Sequence, residues 1–338
     1  MCDELTIPGF VDLQVNGFMG IDFSSPDLTK ETFLQACQAL LQKGTAAFLP
    51  TIITSPLEVY ERNLPVMASV IALPEFQGRL LGLHLEGPFI SPQPGAVGAH
   101  NPAWVRPPDL NLLRQLNRWA GHSIRLVTLA AELEGADRLA RLAVEQGMLV
   151  SLGHTLFSPT DLDRLSQAGA AALTHLGNGL PQMLPKFANP LWAGLADDRY
   201  TAMLIGDGHH IPDGVLRAMV RAKGIARTIV VSDAAPVAGL PPGRYFTLGN
   251  DTILEESGRL HNPTKGCLVG SSATLLQCMN HLASLGFLSL EDMLAIGFYN
   301  PLRLIGVNPE LIPHPDNKLY FDEKLRKFYI KSEEPEGP

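Results

Sequence analysis

Apolar positions along this chain fall into short runs that alternate with segments of helical periodicity. The clearest instance is LVSLGHTLFSPTDLDRLSQAGAAALTHLGNG, from Leu149 to Gly179. Its first apolar run stops at Gly153-His154. Ser158 and Pro159 then open an amphipathic segment, the serine suited to a helix cap and the proline to the first turn. A second apolar run, Ala170 to Leu173, stops at His175 and enters a turn of glycine and asparagine. Parallel strands joined by a right-handed crossover have their carboxyl ends on one side of a sheet, so both histidines face one pocket.

The same alternation extends along the chain. Strands are expected at Phe10 to Val15, Thr45 to Ile53, Arg79 to Leu85, Ser123 to Ala130, the two runs just described, Thr201 to Ile205 and Thr228 to Val231. Helices are expected at Thr29 to Lys43, Pro56 to Leu73, Asp109 to Ala120, Gly135 to Gln146 and Asp213 to Lys223, with a long loop through Pro181, Pro185 and Pro190. Eight short strands alternating with helices predict an α/β fold, a (β/α)8 TIM barrel. After the eighth strand, Arg244 to Gly270 reads as a β-hairpin insert, followed by helices at Ser271 to Leu285, Ser289 to Ile296 and Pro301 to Ile305. The expected organisation is a catalytic domain over 7–307 with an insert at about 244–270, and a C-terminal tail, 308–338, holding a short hairpin. The β appendage is therefore small and reduced.

Composition narrows the partners. Hydrophobic residues make up 46% and charged residues 18% of 338, an ordinary globular composition. A net charge of −8 argues against nucleic acid. The four cysteines, Cys2, Cys37, Cys267 and Cys278, are dispersed without a C-x-x-C and read as reduced thiols. No stretch reaches the roughly 18 apolar residues of a membrane span, and the first residues have no apolar signal core. The expectation is a cytoplasmic protein that contacts no membrane.

In barrels of this kind the active site forms at the carboxyl ends of the strands. Those ends supply Asp12, Gln14 and Asn16, then Thr51, His84 with Glu86, His154, His175, Asp207 with His209 and His210, and Asp233. One Glu and two His from three strands suit a divalent cation with water completing its shell. Gln14 and Asn16 are poor ligands for a borderline-soft cation, and the fourth strand has no lysine, so one metal ion per subunit is expected, held by Glu86, His154 and His175. A structural alternative pairs Glu86 with one histidine and makes Asp233 a helix cap. A metal- or sugar-binding barrel without turnover is a further alternative.

HLEGPF (84–89), GAHNP (98–102), LGHT (152–155), THLGN (174–178), GDGHH (206–210), SDA (232–234) and LVGSSATL (268–275) resemble the N-acetylglucosamine-6-phosphate deacetylase family of the amidohydrolase superfamily, over roughly Ile7 to Val307. PGFVDLQVNG (8–17) matches the branch with Gln-x-Asn in place of His-x-His. The resemblance implies a metal-dependent hydrolase barrel that removes the acetyl group from an N-acetylated amino sugar phosphate. It makes Glu86, His154 and His175 metal ligands, Asp233 the general acid/base and His100 a donor to the substrate carbonyl. Asn178, Gly179, Asp207 and His210 are implied as substrate contacts, with Leu268, Val269 and Gly270 lining the pocket. The family's phosphate-binding arginine corresponds to Lys186, and His209 stands where the family has an apolar residue. The implied cofactor is zinc, with iron, cobalt or manganese as alternatives, and the implied assembly is a homodimer. N-acetylgalactosamine 6-phosphate, an unphosphorylated N-acyl sugar and another amide are the alternative substrates.

Overall fold

The computed structural model describes residues 5–315 and 317–331. Cys2 and the end of the tail, 332–338, lie outside the described residues. The eight barrel strands are β1 (Phe10–Val15), β2 (Thr45–Ile53), β3 (Leu83–Glu86), β4 (Ile124–Leu129), β5 (Leu149–Leu152), β6 (Ala170–Leu173), β7 (Thr201–Ile205) and β8 (Thr228–Val231). They pair in sequence order in one parallel sheet. A bridge between Val15 and Ala234 brings its two edges together, where the Asn16 N–H donates to the Ala234 carbonyl at 2.8 Å. All six residues of β1 and all nine of β2 are buried, which is why these strands read as unbroken apolar runs rather than alternating ones.

A helix follows each strand: α1 (Lys30–Leu41), α2 (Leu57–Ile71), α3 (Leu110–Trp119), α4 (Ala136–Glu145), α5 (Pro159–Gln167), α6 (Pro190–Ala196), α7 (Asp213–Lys223) and α8 (Leu275–Ser284). Their starts follow local chemistry. Ser158 caps α5 and exchanges bonds with Asp161, and Asp109 accepts the Asn111 and Leu112 N–H groups to start α3. The helix α6 corrects the loop expected there. Asn189 caps it and Pro190 begins it, but seven residues including Gly194 are too few to display helical periodicity. Strand β3 begins later than Arg79 because Gly82, at φ 125°, turns the chain before it.

Two small antiparallel sheets accompany the barrel. Gly243–Thr247, Asn250–Leu254, Leu260–Asn262 and Cys267–Leu268 form a four-stranded meander where a single hairpin was expected. Its apolar side, with Leu254, Leu260 and Val269, packs with Ile53, Ala235 and Val237 at the barrel mouth. The C-terminal strands Leu319–Asp322 and Lys327–Ile330 pair as a hairpin, and Leu5–Ile7 adds a third strand to it. Val11, Leu13, Leu49, Leu126, Ile229 and Val231 pack with Phe298 and Leu302 of the C-terminal helical run in one apolar cluster. Among the described residues no helix is long and apolar enough to cross a membrane.

Candidate metal centre and active site

Between the apolar cluster and the mouth lies a buried polar layer. His84 bonds Thr51 Oγ1 at 3.2 Å and Thr128 Oγ1 at 2.8 Å. Thr174 continues the chain to Thr128 at 2.7 Å and to Ser151 at 2.6 Å. Burial pushes the His84 imidazole down to about 4, so it is neutral and belongs to this supporting network. Glu86 stands two residues further along the same strand and reaches the site above.

His154, His175 and Asp233 each stand two residues past the end of a strand, and all three have left-handed backbone, with φ of 48°, 30° and 52°. Such values are costly for side-chain-bearing residues and concentrate at functional sites. Here they turn the chain where it leaves β5, β6 and β8, and all three residues line one cavity of about 360 Å³. Within it, His175 Nε2 stands 2.9 Å from Glu86 Oε1 and 3.1 Å from His154 Nε2, and His154 Nε2 is 3.4 Å from Glu86 Oε1. Donors about 2.0–2.1 Å from a tetrahedral cation stand roughly 3.3–3.4 Å from one another, so these separations fit one ion. The tautomer also fits. His154 Nδ1 donates to the Ala96 carbonyl at 2.9 Å, which leaves its Nε2 lone pair for the ion. The donor set suits a divalent cation. Burial opposes the charge on Glu86, but the His154 and His175 imidazoles beside it hold its carboxyl well below the usual range, and Glu86 in turn raises His175.

Strand β1 contributes more than absent ligands. Asp12, Gln14 and Asn16 alternate along one face of the strand. Gln14 Nε2 donates to Glu86 Oε1 at 2.8 Å, and Asn16 Nδ2 donates to Asp233 Oδ1 at 2.7 Å. Asp12 Oδ1 accepts the Ser232 N–H at 3.1 Å, next to Asp233. The i, i+2, i+4 spacing was visible in the sequence, but the carboxylates that these side chains hold come from β3 and from the end of β8. Asp12 Oδ2 has no partner among the described residues, and burial pushes the Asp12 carboxyl up to about 7. A carboxyl raised from about 3.9 binds its proton more tightly when folded, so the stability it contributes is complete below about pH 4 and lost as pH rises through about 7. Asp12→Asn keeps an acceptor for the Ser232 N–H without the charge. It should melt above the wild type at pH 8 and close to it at pH 5, as differential scanning calorimetry would show. An equal change at both pH values would remove the buried charge from this account.

The other expected site residues divide. His100 lines the cavity with Nε2 3.1 Å from His154 Nε2 and 3.9 Å from Glu86 Oε2. Burial pushes it down to about 3. Asn178, Gly179, His210, Leu268 and Gly270 also line the cavity. Gly179, at φ 61°, lies so close to His154 that a Cβ would come within 2.8 Å of its Nδ1, so the turn after β6 admits only glycine there. Asp207 does not line the cavity. Its carboxylate accepts from His210 Nδ1 at 2.7 Å and from Ser271 Oγ at 2.8 Å, which orients His210. Val269 is fully buried against the meander's apolar cluster. Lys186 lies outside the cavity lining on an exposed loop, its ammonium 5.2 Å from the Phe187 ring. His209 Nε2 bonds the Ser257 carbonyl at 3.0 Å and ties the meander to the barrel. The segments after β3 and β6 do close around the cavity, through Gly95 and Gly98 on one side and Leu180 and Gln182 on the other.

A parallel (β/α)8 barrel with Glu, His and His converging at the strand ends and an Asp beside them places the chain in the amidohydrolase superfamily. No family model matches the chain. Comparison with known proteins finds the N-acetylglucosamine-6-phosphate deacetylase of Bos taurus, 35% identical over 314 residues that span 89% of this chain and 74% of that protein. The N-acetylgalactosamine-6-phosphate deacetylase of Escherichia coli O157:H7 is 30% identical over 308 residues, 90% of this chain and 79% of that protein. Among solved structures, N-acetylglucosamine-6-phosphate deacetylase from Pasteurella multocida aligns with a TM-score of 0.83 at 27% identity, over 96% of this chain and 86% of that one. A mutant of the Mycobacterium smegmatis enzyme in complex with N-acetyl-D-glucosamine-6-phosphate aligns with a TM-score of 0.85 at 25% identity, over 95% and 84%. The chain belongs to the N-acetylglucosamine-6-phosphate deacetylase family.

Proposed function

We infer that this protein hydrolyses the amide bond of N-acetylglucosamine 6-phosphate to glucosamine 6-phosphate and acetate. The observation that carries the reading is the buried Glu86, His154 and His175 cluster with Asp233 on the same cavity, in a chain of this family. A divalent cation held by those three residues, taken here as zinc, would polarise the acetamide carbonyl and lower the pKa of water toward about 7. Asp233 is the proton carrier. Asn16 occupies its Oδ1, leaving Oδ2 for the attacking water, and burial with the Glu86 charge pushes its carboxyl up to about 6. A group in that range accepts a proton near neutral pH and returns it to the departing nitrogen, which an amide needs before it can leave. His100, neutral at that pH, donates a hydrogen bond to the carbonyl oxygen as negative charge develops there, a contribution worth about 2.7–4 kcal/mol in comparable sites. His210, oriented by Asp207, and the turn at Asn178 and Gly179 contact the sugar, with Leu268 and Gly270 closing the far wall.

The reading extends to a cytoplasmic homodimer. Free thiols at Cys37, Cys267 and Cys278 support a reducing compartment. Met183, Phe187 and Trp192, exposed on the segment after β6, support contact with a second copy. Acetate release from a substrate panel, on protein of known metal content, tests the substrate. N-acetylglucosamine 6-phosphate should be turned over with a higher kcat/KM than N-acetylglucosamine or N-acetylgalactosamine 6-phosphate. A preference for the galactosamine epimer, which the name of the Escherichia coli relative favours, would transfer the assignment to that sugar. A preference for the unphosphorylated sugar would remove the phosphate from it.

A further inference from the structure

We propose that Thr174 is a positioning residue for the metal centre. Through a one-way chain of buried hydrogen bonds it fixes the spacing of Glu86, His154 and His175, and so sets their affinity for the ion. The proposal rests on the reading that these three residues hold a divalent cation. The interior of a (β/α)8 barrel is ordinarily filled with branched apolar side chains. Below the cluster this barrel instead buries Thr51, His84, Thr128, Ser151 and Thr174, none more than 2% exposed. Burying polar groups is costly unless each finds a partner. Here the partners are matched hydrogen by hydrogen.

A hydroxyl has one hydrogen to donate. That of Thr51 goes to the Leu49 carbonyl at 3.3 Å, while its oxygen accepts the Val15 N–H at 3.1 Å. Its bond with His84 Nδ1 at 3.2 Å is therefore donated by the ring, which leaves Nε2 as an acceptor. Thr128 must then donate to Nε2 at 2.8 Å, Thr174 to Thr128 at 2.7 Å, and Ser151 to Thr174 at 2.6 Å. The chain runs in one direction, from Ser151 to Thr51, and it touches the approach to every ligand. His84 stands two residues before Glu86 on β3. Thr174 directly precedes His175. It also presses on Gly153, the residue before His154, so closely that a Cβ there would come within 2.6 Å of Thr174 Cβ and 2.8 Å of Thr128 Cγ2. The backbone ladder is thin at this point. Strand β6 pairs with β7 at two residues, Ala172 and Leu173, and its register against β5 shifts between Val150 and Ser151. The hydroxyl of Thr174, held by two short bonds, supplies the register that the ladder does not.

The test measures zinc affinity of the metal-stripped protein, by competition with a chromophoric chelator, in the wild type, Thr174→Val, Thr174→Ser and Ser151→Ala. Valine keeps the shape of threonine but leaves Ser151 without an acceptor and Thr128 without a donor. Thr174→Val should bind zinc about 10- to 100-fold more weakly, the usual cost of losing a residue that orients metal ligands. Thr174→Ser restores the hydroxyl and should bind close to the wild type. The visible spectrum of the cobalt-loaded protein should change in Thr174→Val and return in Thr174→Ser, a signature that lowered stability alone does not produce. Ser151→Ala removes the first donor of the chain and should weaken binding in the same direction. It carries the test should Thr174→Val not fold. Wild-type affinity in Thr174→Val, or in Ser151→Ala where that variant carries the test, overturns the role of Thr174 and leaves the metal reading intact. Equal weakening in the valine and serine variants would assign the effect to packing and overturn it too. A wild type that binds no zinc overturns both readings together.

Discussion

Asp233→Asn should retain a full complement of metal and lose about 10²–10⁴-fold in turnover, the contribution of a positioned acid/base group. The substitution is nearly isosteric. Asparagine tolerates the left-handed backbone, φ 52°, that this position requires, so the end of β8 should keep its shape. An oxygen at Oδ1 can still accept from Asn16 Nδ2, as it does now at 2.7 Å. The Asp233 backbone is anchored separately, its carbonyl accepting the Ser271 N–H at 2.9 Å. What disappears is the group that takes a proton from water and returns it to nitrogen. Because Asp233 is not one of the three clustered ligands, metal content measured on the same sample separates this loss from an emptied site. Turnover close to wild type in a metal-replete variant would sink the mechanism.

The barrel was legible because its strands are buried on both faces. Thr45–Ile53 and Thr201–Ile205 occupy the expected residues, and Ser158 and Asp109 start helices where their cap chemistry predicts. Elements whose shape depends on distant partners were not. Leu5–Ile7 is three residues long and becomes a strand only by pairing with Leu319–Asp322, more than three hundred positions away. The meander expected as one hairpin gains two further strands of three and two residues, too short for alternation to reveal. At the site, Glu86, His154, His175 and Asp233 followed from strand ends and family resemblance alike. The supports did not. Nothing in the spelling of Gln14 or Asn16 specifies which carboxylate it holds, and the partner of His154 Nδ1 is a backbone carbonyl, at Ala96. His84 and Glu86 occupy equivalent faces of β3, yet one is neutral in the threonine layer and the other carries charge among the histidines. Depth along the barrel axis decides between those fates.

Replacing Glu86 by glutamine should leave a folded barrel that no longer holds a metal ion, with activity below detection. Glu86 is the only anionic donor of the cluster, and it is 2% exposed. Two neutral imidazoles and an amide oxygen offer a buried divalent cation no compensating charge, and amide oxygen is a weak ligand for a borderline-soft ion. The fold should tolerate the change because an oxygen at Oε1 can still accept from Gln14, and removing a buried charge costs the apo chain nothing in desolvation. Elemental analysis should find one ion per wild-type chain and a small fraction of that in Glu86→Gln. Melting adds a second reading. An ion that binds only the folded state stabilises it by about 2.7 kcal/mol at a hundredfold excess over Kd, so added zinc should raise the wild-type Tm and leave the variant's unchanged. Two ions per wild-type chain would show that the amides of β1 do not limit the site to one. A stoichiometric ion in active Glu86→Gln would place the metal elsewhere in the cavity, and the 2.9–3.4 Å spacing of the three donors would then need another explanation.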